Sequence, residues 1–164
     1  MDEVDRIVAA WRHERPDADV SPMEVFSRVS RLAQYLDGLR KQAFTSVGLE
    51  PWEFDVLAAL RRTGEPYELS PGLLVAATHV TSGTMTNRVD RLQRKGLVER
   101  RPAPSDRRGV LVRLSEGGRE RVDAALDALL TQEHELLGGL SAEDRASIAH
   151  ILRDLIQPFA GPTA

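Results

Sequence analysis

Residues 81–114 read TSGTMTNRVDRLQRKGLVERRPAPSDRRGVLVRL. The order within this stretch is a short helical pattern, a glycine, a β-favouring run, a charged turn and a second β-favouring run. This order is typical of a recognition helix followed by a β-hairpin wing. From 88 to 113, nine Lys/Arg stand against three Asp/Glu, so this segment carries +6 although the whole chain is formally −3. Because phosphate neutralisation is local, such a segregated positive charge indicates a nucleic-acid footprint.

The predicted recognition helix begins after Thr81. Met85, Val89 and Leu92 recur at i, i+4 and i+7, so we expect this face to pack on the core. Arg88 lies only about 70° from that face at 100° per residue, so it leans inward toward an internal partner. The polar side chains of the outer arc offer what a major groove can use, Asn for adenine and Arg for guanine or phosphate. The DNA-contact candidates on this helix are Ser82, Thr84, Thr86, Asn87, Arg91 and Arg94.

A β-hairpin wing is predicted next. Residues 97–101 and 110–114 favour strands, and the intervening PAPSDRRG keeps its prolines and glycine in a loop. Arg107 and Arg108 lie at the tip of this loop, where a wing can insert a guanidinium into a narrow minor groove. A solvated charged turn is the alternative. It is disfavoured because the segment lies directly behind a predicted helix-turn-helix, in which a short helix from Ser70 to Ala77 and a turn at His79 and Val80 precede the helix that follows Thr81.

Two other charged side chains are expected among apolar neighbours. Strand alternation puts Arg100 on the same face as Val98, so Arg100 turns inward if Val98 does. Asp55 interrupts residues 50–62, EPWEFDVLAALRR, a helix that is apolar nearly all round. An isolated buried carboxylate is costly, so Asp55 is either functional or belongs to a structural ion pair or a solvated helix edge.

Amphipathic helices are predicted on both sides of the winged segment. The first dozen residues form a short helix with Trp11 on its apolar edge, and a helix of roughly 24 residues then ends near Gly48. Two more helices follow the wing. A minimal winged domain needs none of these, so they suggest a dimerisation module, with a plain core helix as the alternative for the long one. The predicted helix caps are Ser21, Ser70, Thr81, Ser115 and Ser141.

The predicted fold class is mostly α with a small β-hairpin wing, that is, a winged helix-turn-helix plus a helical dimerisation region. The expected divisions are 1–48 for the N-terminal and dimerisation helices, 49–114 for the DNA-binding domain, and 115–164 for the C-terminal dimerisation helices. These boundaries leave the basic segment inside the central domain.

The composition argues against several classes of function. The chain has no cysteine, which removes disulfides and thiolate ligands, and its four histidines show no metal-ligand spacing. We therefore expect no metal and no cofactor. Apolar runs fall short of the roughly 20 residues that a membrane span needs, and the N-terminus is acidic, so we expect a cytoplasmic protein without a membrane partner. Nucleophile elbows and phosphate-binding glycine loops are absent from the sequence, so an enzyme is disfavoured.

At this point the sequence resembles the MarR family of transcriptional regulators over residues 22–160. The most specific features are LVERR in the first predicted strand and DRR in the wing. The resemblance implies a homodimer that binds a pseudo-palindromic operator in double-stranded DNA, as a repressor, and is released by a small aromatic or anionic ligand. It also implies that Asp106 orients an arginine of the wing and that Arg108 enters the minor groove. A winged-helix DNA-binding or protein-binding protein without an effector is the alternative.

A narrower resemblance concerns the urate-responsive branch of that family, which has an extra N-terminal helix. The positions that match its pattern are Trp11, Asp55, Arg88 and Arg100. The resemblance implies that they line a pocket between the dimerisation and DNA-binding regions, with two arginines holding an anionic ligand and Trp11 stacking on it or closing the site. Urate is one candidate ligand, and a structural ion pair of Asp55 with an arginine is the alternative.

Overall fold

The computed structural model of the chain describes residues 1–103 and 106–159, and the side chains of residues 106–108 lie outside the described part. The predicted fold class is confirmed, since helices dominate and a small antiparallel sheet forms the wing. The elements are α1 (Glu3–Glu14), α2 (Pro22–Ser46), α3 (Pro51–Arg61), β1 (Glu68–Leu69), α4 (Pro71–Thr78), α5 (Ser82–Arg94), β2 (Val98–Ala103), β3 (Asp106–Leu114), α6 (Glu116–Leu137), α7 (Ala142–Ile156) and a 3-10 turn (Gln157–Phe159).

α3 lies at the centre of the core, because it is apolar nearly all round. Leu57 and Leu60 are fully buried, and Phe54 stacks on Phe44 of α2 with ring centroids 4.0 Å apart. The apolar faces of α5 and the wing pack on the same core. Burying one such side chain contributes about 1.5–3 kcal/mol, so this packing holds α5 in place. The buried residues of α5 and the wing are Met85, Val89, Leu92, Leu97, Val98, Val112 and Leu114.

The helix N-termini follow the capping predictions except at α2. Ser21 has helical backbone angles, φ −56° and ψ −35°, and its side chain makes no cap hydrogen bond, so the cap predicted there is wrong. Capping boxes form instead at α1 and α3, where Asp2 pairs with Asp5 and Glu50 with Glu53. The predicted caps that are confirmed are Ser70, Thr81, Ser115 and Ser141.

The wing is longer than predicted. β2 and β3 pair antiparallel as far as Ala103 and Asp106, so Arg107 and Arg108 belong to a strand, and the prediction that they lie in a loop is wrong. Pro102 does not break β2, because the strand order β1-β3-β2 makes β2 an edge strand, where a missing N–H is tolerated. A register shift follows directly after this proline. The sequence did not predict β1, which pairs with the other edge of β3.

α6 begins in close contact with the wing. Gly118 lies in its first turn, where an added Cβ would sit 2.0 Å from the backbone oxygen of Leu97. Ser115, which caps this helix, also donates its hydroxyl to the carbonyl oxygen of Gly96 at 2.7 Å. The start of α6 is therefore fixed to the wing by backbone-level contacts that require a glycine at 118.

The part of the chain away from the wing buries little surface of its own. We define the helical arm as α1, residues 22–36 of α2, residues 126–137 of α6, and α7; α7 contains no buried residue. Among the described residues, no helix is long and apolar enough to cross a membrane. Large apolar side chains are nevertheless exposed all along the arm: Trp11, Val25, Phe26, Val29, Leu32, Tyr35, Leu126, Leu130, Leu136, Leu137, Ile148, Ile151, Leu152, Leu155 and Ile156.

Candidate nucleic-acid interface

The recognition helix α5 has a neighbouring element on each flank. Its buried face packs on the core, the flank with Arg88 and Arg91 lies against α3, and the flank with Asp90 and Gln93 lies against the wing. At 100° per residue, Asp90 and Gln93 are about 160° and 140° around the helix from Arg88. The outer arc between these flanks is left for a partner.

On the α3 flank, two guanidinium groups contact one indole. The Cζ atoms of Arg88 and Arg91 lie 5.4 and 4.7 Å from the centroid of the Trp52 ring, within the range of cation–π attraction. Further along the same flank, Lys95 Nζ lies 2.6 Å from Oε1 of Glu53, whose side chain is fully buried. The second Glu53 oxygen accepts the backbone N–H of Glu50, so this carboxylate joins the end of α5 to the start of α3.

On the opposite flank, Arg100 of β2 connects the wing to α5. Its Nη2 donates to Asp90 Oδ1 at 2.5 Å, and its Nη1 donates to Gln93 Oε1 at 2.7 Å. Val98 is buried as predicted, and Arg100, two residues further on the same strand face, turns toward the recognition helix. The charge of Arg100 is thereby neutralised by Asp90, one of the outward-pointing residues of α5.

The polar candidates on α5 are all exposed: Ser82, Thr84, Thr86, Asn87, Arg91 and Arg94. Several already use part of their hydrogen-bonding capacity, since Thr86 donates to the Ser82 carbonyl and the Thr84 hydroxyl lies 2.9 Å from that of Thr81. Within the described part of the chain, the Asn87 amide makes no hydrogen bond. It therefore has its full donor and acceptor set for a base edge. The wing candidates Asp106, Arg107 and Arg108 have side chains outside the described residues.

Carboxylate pairing separates the arginines of this region into two groups. Arg61, Arg100 and Arg113 each have an Asp or Glu within 4 Å, whereas no described carboxylate lies that close to Arg88, Arg91 or Arg94. A guanidinium without a carboxylate partner is available to pair with an external anion. The positive potential of the recognition helix is thus concentrated on the α3 flank and the outer arc.

The ligand-pocket candidates do not all meet within one chain. Asp55 forms an ion pair with Arg40 of α2 at 3.3 Å. It lies one turn along α3 from Trp52, on which Arg88 stacks, so Asp55 and Arg88 are on the same side of α3. Arg100, by contrast, contacts the other flank of α5. Within one chain, Asp55 and Arg88 therefore share a side of α3, and Arg100 lies apart from them.

Trp11 lies farther away. α1 runs antiparallel to α2, with Arg12 paired to Glu24 near one end, whereas the Arg40–Asp55 pair is near the other end of α2. The 16 residues between Glu24 and Arg40 correspond to about 24 Å of helix. Trp11 is 48% exposed, and this separation along α2 keeps it from the α3 flank of its own chain.

Sequence reasoning missed Trp52, Arg40 and the Asp90–Arg100 pair. The apolar pattern of residues 50–62 predicts Trp52 as part of a core helix, and one side of it does pack on the core. The available signal was its spacing of three residues from Asp55, which puts both on one face of a helix. The partners of Arg40 and Arg100 lie 15 and 10 residues away in other elements, so no local pattern could identify them.

Comparison with known proteins agrees with this geometry. A family model described as MarR family matches residues 47–109. The chain is 37% identical over 150 residues to the HTH-type transcriptional regulator PecS of Dickeya dadantii, covering 92% of this chain and 90% of PecS. A mutant of MarR from E. coli in complex with operator DNA superposes with a TM-score of 0.67 at 27% identity, over 85% of this chain and 99% of that chain. BpsR of Bordetella bronchiseptica, whose DNA binding is regulated by 6-hydroxynicotinic acid, superposes with a TM-score of 0.65 at 29% identity, over 80% and 91% of the two chains.

Proposed function

This chain belongs to the MarR family of DNA-binding transcriptional regulators, and from that premise we propose that it is a homodimeric repressor whose grip on a pseudo-palindromic operator is loosened by a small anionic or aromatic ligand. The proposal rests on the exposed, positively charged surface of α5. Its outer arc is exposed and its arginines on the α3 flank have no described carboxylate partner. The operator-bound relative, which this chain matches over 85% of its length, supports the same docking of α5 in the major groove.

The dimer is proposed to form through the helical arm. Large apolar side chains are exposed along all four of its helices, and Ile156 and Phe26 are 60% and 57% exposed. Contiguous apolar patches of this kind mark interfaces, and burying them contributes about 25 cal/mol per Å². A two-fold axis through this arm would present two copies of α5 to half-sites about 34 Å apart. Residues 1–48 and 115–164 would then be the dimerisation segments around the DNA-binding residues 49–114.

The effector is proposed to bind where α2, α3 and α5 meet. This junction would combine the guanidiniums of Arg40 and Arg88 with the carboxylate of Asp55 and the indole of Trp52, since Arg40 pairs with Asp55 and Arg88 lies over Trp52. Guanidinium groups pair with anions and stack on aromatic rings, so the junction suits an aromatic acid. Urate is one candidate, and the regulation of BpsR by an aromatic acid supports the ligand class. Trp11 would reach this junction only from a second copy of the chain.

Fluorescence anisotropy on labelled duplexes from the DNA flanking the gene tests the proposal. We expect saturable binding of one dimer per palindromic site at about 150 mM salt, and weaker binding when urate or 6-hydroxynicotinate is added. Asp55→Asn and Arg40→Ala should reduce the ligand response while leaving operator affinity within about twofold. Absence of any specific duplex binding would reject the regulator.

One observation favours a second reading, a winged-helix repressor without an effector. Asp55 and Arg100 already have partners, Arg40 and Asp90, so both could be structural ion pairs. Operator binding that no aromatic or inorganic anion changes would support this reading. If Arg88→Ala lowers operator affinity but keeps a ligand response intact, Arg88 does not belong to the effector site.

A further inference from the structure

We propose that Trp52 is a positioning residue that holds Arg88 and Arg91 together as a two-guanidinium grip for the phosphate backbone of DNA. The inference rests on the DNA-binding function and shares Arg88 with the proposed effector site. It extends the DNA-binding surface from α5 to the first turn of α3. Trp52 itself would touch no phosphate.

The first step is proximity. Both Cζ atoms lie near one ring centroid, at 5.4 and 4.7 Å, so by the triangle rule they are at most about 10 Å apart. The two arginines are three residues apart on α5, which puts them on adjacent turns of one helix surface. Two guanidiniums at this spacing can bind one phosphate together or two neighbouring phosphates of one strand.

The second step is charge. Among the described residues, no carboxylate lies within 4 Å of Arg88 or Arg91, whereas Arg100 on the other flank is neutralised by Asp90. Two like charges within about 10 Å of each other repel, and the face of an indole offsets that repulsion only in part. A phosphate oxygen would supply the missing counter-charge. The site is therefore built for an external anion rather than for an internal ion pair.

The third step is rigidity. Trp52 packs against the core on one side and lies in the first turn of α3, next to Glu53, whose buried carboxylate binds Lys95 of the same α5 flank. Arginine side chains lose rotamer freedom when they bind, and a ring that already confines them lowers this loss. Trp52 thus acts on affinity through the two arginines, and not through a contact of its own.

The salt dependence of operator binding tests the grip. Arg88→Ala and Arg91→Ala should each lower the slope of log affinity against log salt by about 0.9, so that the loss of affinity between 50 and 200 mM salt shrinks by about 3.5-fold. Arg6→Ala, which removes the same charge from the exposed face of α1, is the matched control and should leave the slope unchanged. Slopes for Arg88→Ala and Arg91→Ala that equal that of the control would overturn the proposal.

Trp52 is tested by a pair of substitutions. Trp52→Leu removes the aromatic face and should weaken operator binding several-fold with an unchanged salt slope, whereas Trp52→Phe should restore most of the affinity. Equal affinities for the leucine and phenylalanine variants, with both folded, would show that the ring does not position the arginines.

A measurement without DNA separates failure of the grip from failure of the regulator. In a Trp11→Phe background Trp52 is the remaining tryptophan. The ratio of the iodide to the caesium quenching constant should exceed that of free N-acetyltryptophanamide, because two guanidiniums attract the anion, and Arg88→Ala with Arg91→Ala should lower this ratio toward the reference. A ratio in the parent protein that equals the reference would overturn the grip even if operator binding is confirmed. If iodide is attracted to Trp52 but no specific DNA is bound, the anion site is supported and the regulator is rejected.

Discussion

The winged part and the helical arm of this molecule differ in how far they bury their apolar side chains. The winged part, from α3 to β3, buries its core together with Phe44 of α2 and Val122 of α6, and ties α5 to both neighbours through Trp52, Glu53 and Arg100. The helical arm buries Val4, Val8 and Leu129 but leaves many large apolar side chains exposed, and α7 buries none. The winged part is therefore buried within a single chain, whereas we expect the exposed apolar faces of the arm to be covered by another surface. This difference separates residues that determine folding from residues that we expect to determine assembly.

The strongest test of this contrast compares Leu57→Ala with Ile151→Ala. Leu57 is fully buried in α3, so its truncation should cost about 3–4 kcal/mol in the free energy of unfolding. Ile151 is 55% exposed on α7, so its truncation should cost under about 1 kcal/mol and instead raise the dimer dissociation constant. Urea unfolding at several protein concentrations and analytical ultracentrifugation measure the two effects. A loss at Ile151 that is large and independent of concentration would mean that α7 packs within its own chain.

The junction between the halves can be broken at Gly118. A Cβ there would meet the Leu97 carbonyl oxygen at 2.0 Å, so Gly118→Ala should cost about 3 kcal/mol by forcing α6 away from the wing. Gly117→Ala is the matched control, because nothing lies within 4 Å of a Cβ at that position, and helix propensity should make it neutral or stabilising by up to about 1 kcal/mol. Thermal unfolding of both variants checks the pair. Equal melting temperatures would contradict the close contact.

A smaller effect sharpens the role of ion pairs in the winged part. Arg100→Ala leaves the Asp90 carboxylate unpaired beside the DNA-facing arc, which should weaken operator binding by about 1 kcal/mol, roughly fivefold. Adding Asp90→Asn should recover most of that loss. Arg101→Ala, which breaks the exposed pair with Glu99 on the other strand face, is the control. A double variant no better than Arg100→Ala alone would mean that Arg100 contacts DNA itself.

The smallest effect concerns the ion pairs of Arg28 with Asp2 and Asp5, which attach α1 to α2. The hydrogen bond from Arg28, followed by the backbone N–H of Asp5, lowers the pKa of Asp2 from 3.8 to about 2. Since the folded pKa is the lower one, these contacts stabilise α1 above about pH 4 and are lost as the pH falls toward 2. Trp11 emission in a Trp52→Phe background should therefore change at a higher pH than Trp52 emission in a Trp11→Phe background. Coincident transitions would show that α1 does not detach separately.

Local signals predicted most of the fold. The 3.6-residue spacing in α5 predicted its buried face, and serines or threonines at four helix starts predicted where those helices begin. Predictions failed where a distant element changed the outcome. Pro102 is accepted in β2 only because that strand lies at the sheet edge, and β1 forms only because β3 offers it a free edge. The contacts made by the DNA and ligand candidates stay predictions.

The sequence by itself determined which residues form helices, which helix carries the basic segment and which of its faces is buried, because these depend on spacing within one element. The tertiary structure alone decided which arginines have a carboxylate partner. Arg88 and Arg100 look alike in sequence, as inward-leaning cations, yet one stacks on Trp52 without a described carboxylate and the other is neutralised by Asp90. The physical reason is that a guanidinium takes its counter-charge from whichever element packs beside it, and that neighbour is set by the fold and not by the local sequence.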